Sequence, residues 1–278
     1  MRNRMFRRWK QLTAQEVQQL ADSSSPEIYS NLGFSHGPYM PEYSNDLAGL
    51  TMTFEFEGLS SCTYTFIDLH TLRWSQDGAE HTEFYMCLPS RPGIYLVQHH
   101  IKGSVPPQGR SIIIDRNTGC ITLCHAQIGN AASAREVSHT FYFGKISGTA
   151  PQALHAFTTE LVGKAIIWTY KHDDFHVKHI YTSEYYYTYA MLKGGECWMA
   201  SNPADFVKIA DNLYVFSFLE ERQGGAQGLF LMDLDAMHDV ASFYSINGEQ
   251  QFECYMAGAV GRFAPMETIF DDEGGVYF

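Results

Sequence analysis

Residues 160–170 read ELVGKAIIWTY, and residues 46–56 read DLAGLTMTFEF. In each stretch a leucine and a glycine precede a run with large apolar residues at every second position, and the two glycines are 114 residues apart. Because successive side chains of a strand point to opposite faces, residues of equal parity share a face. The apolar faces predicted in this way consist of Met52, Phe54 and Phe56 in the first copy and Ile166, Trp168 and Tyr170 in the second. Both stretches predict a turn followed by a strand that faces a core or cavity.

Two further pairs of segments repeat in the same order. GIYLV at 93–97 matches NLYVF at 212–216 with an offset of 119, and SIIID at 111–115 matches LFLMD at 229–233 with an offset of 118. Nearly constant spacing indicates duplication of a unit of about 110–120 residues, a length that suits one small antiparallel barrel or half-barrel. We therefore predict an all-β protein with two tandem antiparallel β units. The predicted divisions are an arm at 1–38, a first unit at 39–150 and a second unit at 151–278.

Two short helices are also predicted. Thr13 and Glu16 have the spacing of a capping box, followed by apolar residues at helical intervals, which predicts a helix at 14–22 in the N-terminal arm. After Pro151, the stripe formed by Leu154, Phe157 and Leu161 predicts a second helix at 151–161.

Composition places the chain among folded proteins and argues against nucleic acid as a partner. Of 278 residues, 45% are hydrophobic and 18% are charged, and the 17 Tyr and 19 Phe favour strands. The formal charge is -12, and five of the 19 basic residues lie within the first ten positions. The rest of the chain is therefore strongly acidic and would repel phosphate backbones.

The N-terminal sequence and the cysteines predict a cytoplasmic protein. MRNRMFRRWK at 1–10 is not followed by an apolar run, and no later segment has the length and hydropathy of a membrane span. The six cysteines form no CxxC pair and no disulfide framework, so buried thiols are expected. Strand edges and the basic arm make a homodimer a reasonable expectation.

The stretch IWTYKHDDFHVKHIYTSEYYYTY at 167–189 combines three histidines with many aromatic rings. His172 and His176 would align in a helix, but the surrounding sequence is typical of a turn between strands, and no metal site is predicted. Tyr185, Tyr187 and Tyr189 share one face of a predicted strand. Parity leaves open whether this tyrosine face lines a ligand cavity or a solvated exterior.

A carboxylate ends one of the predicted aromatic rows. In the predicted strand 213–220, Glu220 shares one face with the aromatic residues Tyr214, Phe216 and Phe218. The counterpart strand 94–101 has His99 and Ile101 on the corresponding face. A glutamate inside such a row would be a candidate acid or base, because burial disfavours its charged form. The alternative is that Glu220 begins a solvated hairpin turn, as strand-end glutamates commonly do.

Several of these segments resemble the MoaF-like proteins, a family named after a molybdenum-cofactor biosynthesis operon. The resemblance covers about residues 40–265 and is carried by LVGK at 161–164, WTY at 168–170, HIY at 179–181, YVF at 214–216 and Glu220. It implies a role linked to molybdenum-cofactor metabolism, although no pterin-phosphate site is recognisable in the sequence.

The second unit is more distantly similar to the phenolic acid decarboxylases, which are single lipocalin-like (calycin) barrels that need no cofactor. This similarity implies that the all-β chain consists of two tandem lipocalin-like antiparallel β-barrels. This resemblance implies that Tyr170 matches the second tyrosine of their catalytic pair, that Trp168 stands in place of the first, and that Glu220 matches their catalytic glutamate. Their arginine falls on Glu196-Cys197-Trp198, so a cation for a substrate carboxylate is missing there.

These observations predict a small-molecule-binding protein, with a cofactor-free lyase, isomerase or cyclase as the first hypothesis. Glu220 and Tyr170 are the predicted catalytic residues, acting on a flat aromatic or polyketide-like molecule. The predicted substrate-binding residues are Trp168, Tyr187, Tyr189, Tyr214, Phe216, Phe218, Glu196 and His99. The alternatives are a ligand carrier or sensor without chemistry and an accessory protein of molybdenum-cofactor biosynthesis.

Overall fold

A computed structural model describes residues 13, 15, 16, 19, 37–130, 136–171, 175–193, 199–220, 225–246, 252–270 and 276–277. The strands of its first half are β1 Thr51–Phe56, β2 Leu59–Phe66, β3 Thr71–Gln76, β4 Ala79–Arg91, β5 Ile94–Ile101, β6 Gln108–Asp115, β7 Cys120–Ile128 and β8 Val137–Ile146. The later strands are β9 Ala156–Phe157, β10 Ala165–Lys171, β11 Phe175–Tyr181, β12 Tyr186–Lys193, β13 Met199–Ala210, β14 Leu213–Leu219, β15 Ala226–Asp233, β16 His238–Ile246, β17 Phe252–Ala264, β18 Ile269–Phe270 and β19 Val276–Tyr277.

The strands close into two antiparallel barrels, which confirms the predicted fold class. β1 to β8 pair in chain order, and β8 returns to β1 with Phe56 opposite Gly144. β10 to β17 do the same, and β17 returns to β10 with Trp168 opposite Gly261. β9 adds to the outer part of β13. Closure leaves no free edge in either ring of eight strands.

The duplicated leucine–glycine turn closes one end of each barrel. Leu47 and Leu161 are both fully buried. Gly49 and Gly163 follow with positive φ angles of 79° and 83°, and their N–H groups donate to the last carbonyls of β2 and β11. Glycine suits this left-handed conformation because it has no Cβ. The sequence repeat therefore encodes the closed end of each barrel, its floor, which is formed by the turn with Leu47 or Leu161.

The alternation predicted from parity is present in both barrels. Phe54 and its neighbours of equal parity belong to the core inside the first barrel, and Ile166, Trp168 and Tyr170 belong to the core inside the second. Tyr187 and Tyr189 also face this second core, whereas Tyr186 is exposed. The tyrosine face of β12 therefore points inward.

The two predicted helices have different outcomes. In the N-terminal arm, Thr13 and Glu16 exchange the expected capping hydrogen bonds, and Gln15, Glu16 and Gln19 are helical, but the rest of 14–22 lies outside the described residues. That helix stays a prediction. The helix predicted at 151–161 is wrong, because this segment contains β9 and then the floor turn with the buried Leu161. The apolar stripe arose because β9 and the turn each supply one large residue.

No helical segment within the described part of the chain has the length and hydropathy needed to cross a bilayer.

A third apolar core joins the outer faces of the two barrels. It contains residues from β4 to β7 of the first barrel and from β13 to β17 of the second, among them Leu96, Ile113, Val215, Leu231 and Val240. As a result, β5 is buried along its whole length and β14 along all but its last residue. Burial on both faces explains why SIIID and LFLMD read as continuous apolar runs rather than alternating ones.

Polar side-chain contacts fix the relative position of the two barrels at this shared face. Arg91 of β4 forms a bidentate ion pair with Asp233 of β15, with both N–O distances at 2.7 Å. Deeper in the interface, His100 Nδ1 and the Tyr244 hydroxyl are 2.9 Å apart. Because buried polar groups are costly without partners, these bonds favour one docking arrangement over sliding alternatives.

Gly109 provides a test of this docking arrangement. A Cβ at residue 109 would overlap the ring of Tyr244, so Gly109→Ala should lower the free energy of unfolding by about 1–3 kcal/mol through overpacking. The cost should shrink when Tyr244 is also replaced by alanine. Urea unfolding of both single variants and the double variant measures the coupling. An equal cost of Gly109→Ala in both backgrounds would contradict the described contact.

Candidate functional site

Glu220 lies at the end of the second barrel opposite the floor formed by Leu161. It follows β14 directly and is partly buried. Its Oε2 atom accepts hydrogen bonds from the Tyr189 hydroxyl and from Asn202 Nδ2, each at 3.0 Å. β12, β13 and β14 are neighbours in the sheet, so adjacent strands supply the three side chains. The carboxylate is therefore held in a defined orientation by two neutral donors.

Aromatic rings line the barrel immediately below Glu220. Tyr187 stacks on Tyr189 with ring centroids 5.8 Å apart, and it contacts Phe218 at 5.4 Å and Phe216 at 4.6 Å. Burial raises the pKa of Tyr187 well above its usual value, and the neighbouring Tyr189 and Glu220 add to this rise. Tyr187 therefore stays protonated and can donate a hydrogen bond at any physiological pH.

His179 occupies the level beneath these rings. It lies within 5.3–6.3 Å of the ring centroids of Tyr181, Tyr187, Phe216 and Phe230. Burial lowers its pKa to about 3, so the imidazole is neutral. It is a packed core histidine at physiological pH rather than a proton donor.

A second acidic group lies inside the same barrel. Asp239 on β16 is fully buried, and its Oδ2 accepts a hydrogen bond from the Tyr170 hydroxyl at 3.4 Å. Burial raises the pKa of Asp239 well above its usual value. Tyr170 comes from β10, four strands away from β14 around the ring, and Asp239 comes from β16, two strands away from β14.

The described histidines of 167–189 point to different sides of β11. His176 lies next to Thr169 Oγ1 at 2.9 Å on the outer side, whereas His179 faces the core. His172 lies outside the described residues. Within the ranges that the structure describes, no group of three His, Cys, Asp or Glu side chains is placed to hold a metal ion.

Comparison with known proteins identifies the family. Residues 31–130 match the family described as the MoaF N-terminal domain, and residues 155–265 match the MoaF C-terminal domain. The chain belongs to the MoaF family. The C-terminal match contains all of β10–β17, whereas the N-terminal match contains β1–β7 and ends before β8. Comparison with curated proteins finds no relative of this MoaF-family chain.

Among solved structures, one similar chain is a candidate beta-lactamase from Burkholderia vietnamiensis. Its sequence is 17% identical to this one, the similarity covers 38% of this chain and 96% of that chain, and the TM-score is 0.31. The similarity to phenolic acid decarboxylases, expected for the second unit, is not shown by these comparisons and stays a prediction.

The structure brings most of the predicted site residues of this MoaF-family chain into the second barrel. Trp168, Tyr170, Tyr187, Tyr189, Phe216 and Phe218 all belong to its interior core. Tyr214 shares their face but lies at the floor end, where its hydroxyl donates to Glu160 Oε2 at 2.6 Å. Six residues of extended strand, about 20 Å, separate Tyr214 from Glu220. Tyr214 is therefore too far away to contact a small ligand bound at Glu220.

Two predicted substrate-binding residues are not among those of the second barrel described above. His99 is buried inside the first barrel, next to the Tyr64 hydroxyl at 3.4 Å, so the walls of both barrels separate it from Glu220. The structure does not bring His99 and Glu220 together, because the two units of the duplicated chain form separate rings. Glu196 lies outside the described residues.

Sequence reasoning missed Asn202 and Asp239. Asn202 precedes Pro203, and proline argues against a strand assignment, although both residues belong to β13. Asp239 has the parity of the inward-facing Ala241, which was the available signal. Neither residue stands in a recognisable motif, so only the three-dimensional register identifies them.

The first barrel carries its own buried carboxyl at a related position. Tyr85 pairs with His99 and Ala204 pairs with Phe218, so Glu83 corresponds to Asn202, two residues earlier on the same strand. Glu83 Oε1 accepts a hydrogen bond from the Lys102 N–H at 3.1 Å. Burial raises the pKa of Glu83 to about 7, and Lys102 opposes this rise only in part.

The raised pKa of Glu83 predicts a pH-dependent stability. The folded state keeps this proton up to about pH 7, whereas the unfolded chain loses it near the ordinary pKa of 4.5. The unfolded state therefore binds fewer protons in this window, and the free energy of unfolding should fall by about 1–3 kcal/mol as pH rises through it.

Glu83→Gln should remove that decline. The difference in the free energy of unfolding between about pH 5 and about pH 8, measured by urea unfolding, should be smaller for Glu83→Gln than for the wild type. Glu80→Gln, an exposed carboxyl on the same strand, is the matched control and should keep the wild-type pH dependence. An unchanged difference in Glu83→Gln would refute the assignment.

Proposed function

We propose that this MoaF-family protein binds a small flat organic molecule at the Glu220 end of the second barrel and catalyses an acid–base reaction on it without a cofactor. The observation that carries this proposal is the partly buried Glu220 carboxylate, fixed by Tyr189 and Asn202 above a wall of aromatic rings. The reaction class would be that of a lyase, isomerase or cyclase.

The geometry suits proton transfer to or from carbon. A carboxylate oriented by fixed donors can accept a proton from an activated C–H or O–H group, since general bases work best when held in one position. Tyr187 remains a protonated donor that could stabilise the oxyanion of an enolate or quinone-methide-like state, while the Tyr189 hydroxyl donates to Glu220. The rings of Tyr187 and Phe218 offer flat faces on which an aromatic substrate would stack.

The MoaF name supports a place near molybdenum-cofactor biosynthesis only by association. The two hydrogen bonds described for the Glu220 carboxylate come from neutral donors, Tyr189 and Asn202.

Glu220→Gln is expected to abolish turnover while leaving binding nearly intact. Thermal-shift screening of phenolic and enone compounds would identify ligands, and NMR would follow their chemical conversion and solvent-deuterium incorporation. Because glutamine keeps the shape and the hydrogen-bond acceptor, the Kd should stay within about tenfold, or about 1.4 kcal/mol. Tyr189→Phe, which removes the hydrogen bond from the Tyr189 hydroxyl to Glu220, should lower the rate less than Glu220→Gln.

Glu160→Gln is the matched control, because Glu160 is a carboxyl of the same barrel at the floor end. It should retain wild-type turnover. Wild-type turnover in Glu220→Gln would refute the catalytic proposal. Saturable binding without any conversion of the bound compounds would favour a carrier or sensor instead.

A further inference from the structure

The interior of the first barrel contains a buried cation that lacks an anionic partner. Arg110 on β6 is only 4% exposed. Its Nη1 donates to the Tyr64 hydroxyl at 2.8 Å and its Nη2 donates to Gln76 Oε1 at 2.7 Å, and both acceptors are neutral. No carboxylate of the described residues lies within the 4.0 Å that defines an ion pair with Arg110. In a chain with 31 acidic residues, this arrangement is unexpected.

The remaining neighbours do not neutralise the guanidinium either. It lies over the Trp74 ring, 4.2 Å from the centroid. Burial, followed by the charge of Arg110, lowers the pKa of His99 well below its usual value and that of His125 to about 4, so both imidazoles are neutral. Burial raises the pKa of the Cys62 thiol to about 11 although Arg110 opposes this, so Cys62 is also uncharged.

Two buried donors in this cluster have no hydrogen-bond partner among the described residues. They are Arg110 Nε and Trp74 Nε1. Burying a charged or polar donor without an acceptor costs free energy, and natural proteins rarely leave such groups unpaired. The two donors therefore indicate a missing acceptor of negative charge.

The second barrel shows that the fold does not require this cation. With the offset of 118 that relates β6 to β15, Arg110 corresponds to Gly228, which packs directly against the ring of Phe218. The second barrel closes and fills its interior with apolar side chains at this level. A purely structural role would not explain why one copy places a guanidinium where the other packs a ring.

The cluster lies close to the open end of the first barrel, opposite the floor formed by Leu47. Gln76, which accepts from Arg110, is the last residue of β3 and is only partly buried. His81, stacked on Trp74 with centroids 4.4 Å apart, and His125 are also partly exposed. A small molecule entering at this end would reach the guanidinium after passing one layer of polar side chains.

We propose that the first barrel binds a small organic carboxylate, whose negative charge pairs with Arg110. One cation matches one carboxylate charge, and the planar guanidinium presents its donors in the geometry that carboxylates accept. Trp74 Nε1 would supply a second donor, and the rings of Tyr64, Phe54 and Trp74 would contact a flat hydrocarbon part. This site stands independently of the function proposed for Glu220 in the other barrel.

Isothermal titration of the full-length protein with sodium benzoate tests the proposal, with benzamide as the neutral analogue and inorganic phosphate as the competing anion. Wild-type protein should bind benzoate saturably and bind benzamide at least tenfold more weakly. Arg110→Met, which keeps the length of the stem without the charge, should weaken benzoate at least tenfold. Glu220→Gln should bind benzoate as the wild type does, which separates this site from the one in the second barrel.

Trp74→Phe is a second variant that keeps the proposal testable if Arg110→Met does not fold. Trp74→Phe keeps an aromatic ring under the guanidinium but removes the indole N–H, and it should weaken benzoate by a measurable factor while leaving Arg110 in place. Three outcomes would overturn the proposal: no saturable benzoate binding at millimolar concentration, equal affinity for benzoate and benzamide, or saturable binding of phosphate without benzoate.

Discussion

The shared face between the two barrels is the constraint on which the rest of the structure depends. A single closed barrel needs one apolar face per strand, but β5, β6, β14 and β15 are buried on both faces because the two rings pack against each other. These strands therefore lose the alternation that would expose polar residues to solvent. Ion pairs such as Arg91 with Asp233 then set the relative position of the two rings. The strands of the shared face, which also line the two barrel interiors, are thereby held in place.

The duplicated interiors have diverged while the scaffold has been kept. The turn with Leu47 or Leu161 closes the same end of both rings, and polar side chains gather at the other end. There, the first barrel has Glu83 where the second has Asn202, and the second has Glu220 where the first has Ile101. The first barrel therefore carries its carboxyl on β4, whereas the second carries it after β14, the neighbour of the strand that corresponds to β4. Such exchange is expected where a position serves a ligand rather than the packing of the core.

Sequence periodicity predicts the faces of the strands but not the positions along the barrel axis. Parity correctly placed Tyr214, Phe216, Phe218 and Glu220 on one row, yet the row runs through the entire barrel, so Tyr214 ends near Glu160 at the floor. The repeat correctly predicted two units, and the predicted substrate-binding residues combined His99 of the first unit with residues of the second, which the structure places in separate rings. Asn202 joins Glu220 only through the register of β13 with β14, which no local pattern reveals.

The charged groups of the two rings, Glu220 and Arg110, differ in how deeply they are buried and in what they can do chemically. Glu220 lies at a barrel end and is only partly buried, so the proposed reaction would take place where a ligand can enter. A guanidinium never loses its proton in a protein, so the deeply buried Arg110 can act only by binding. Because complete walls of strands separate them, one small molecule cannot contact both groups. If both sites are occupied in the cell, the protein must bind two molecules at once, and coupling between them would have to pass through the shared face, where His100 and Tyr244 connect the outer sides of the two rings.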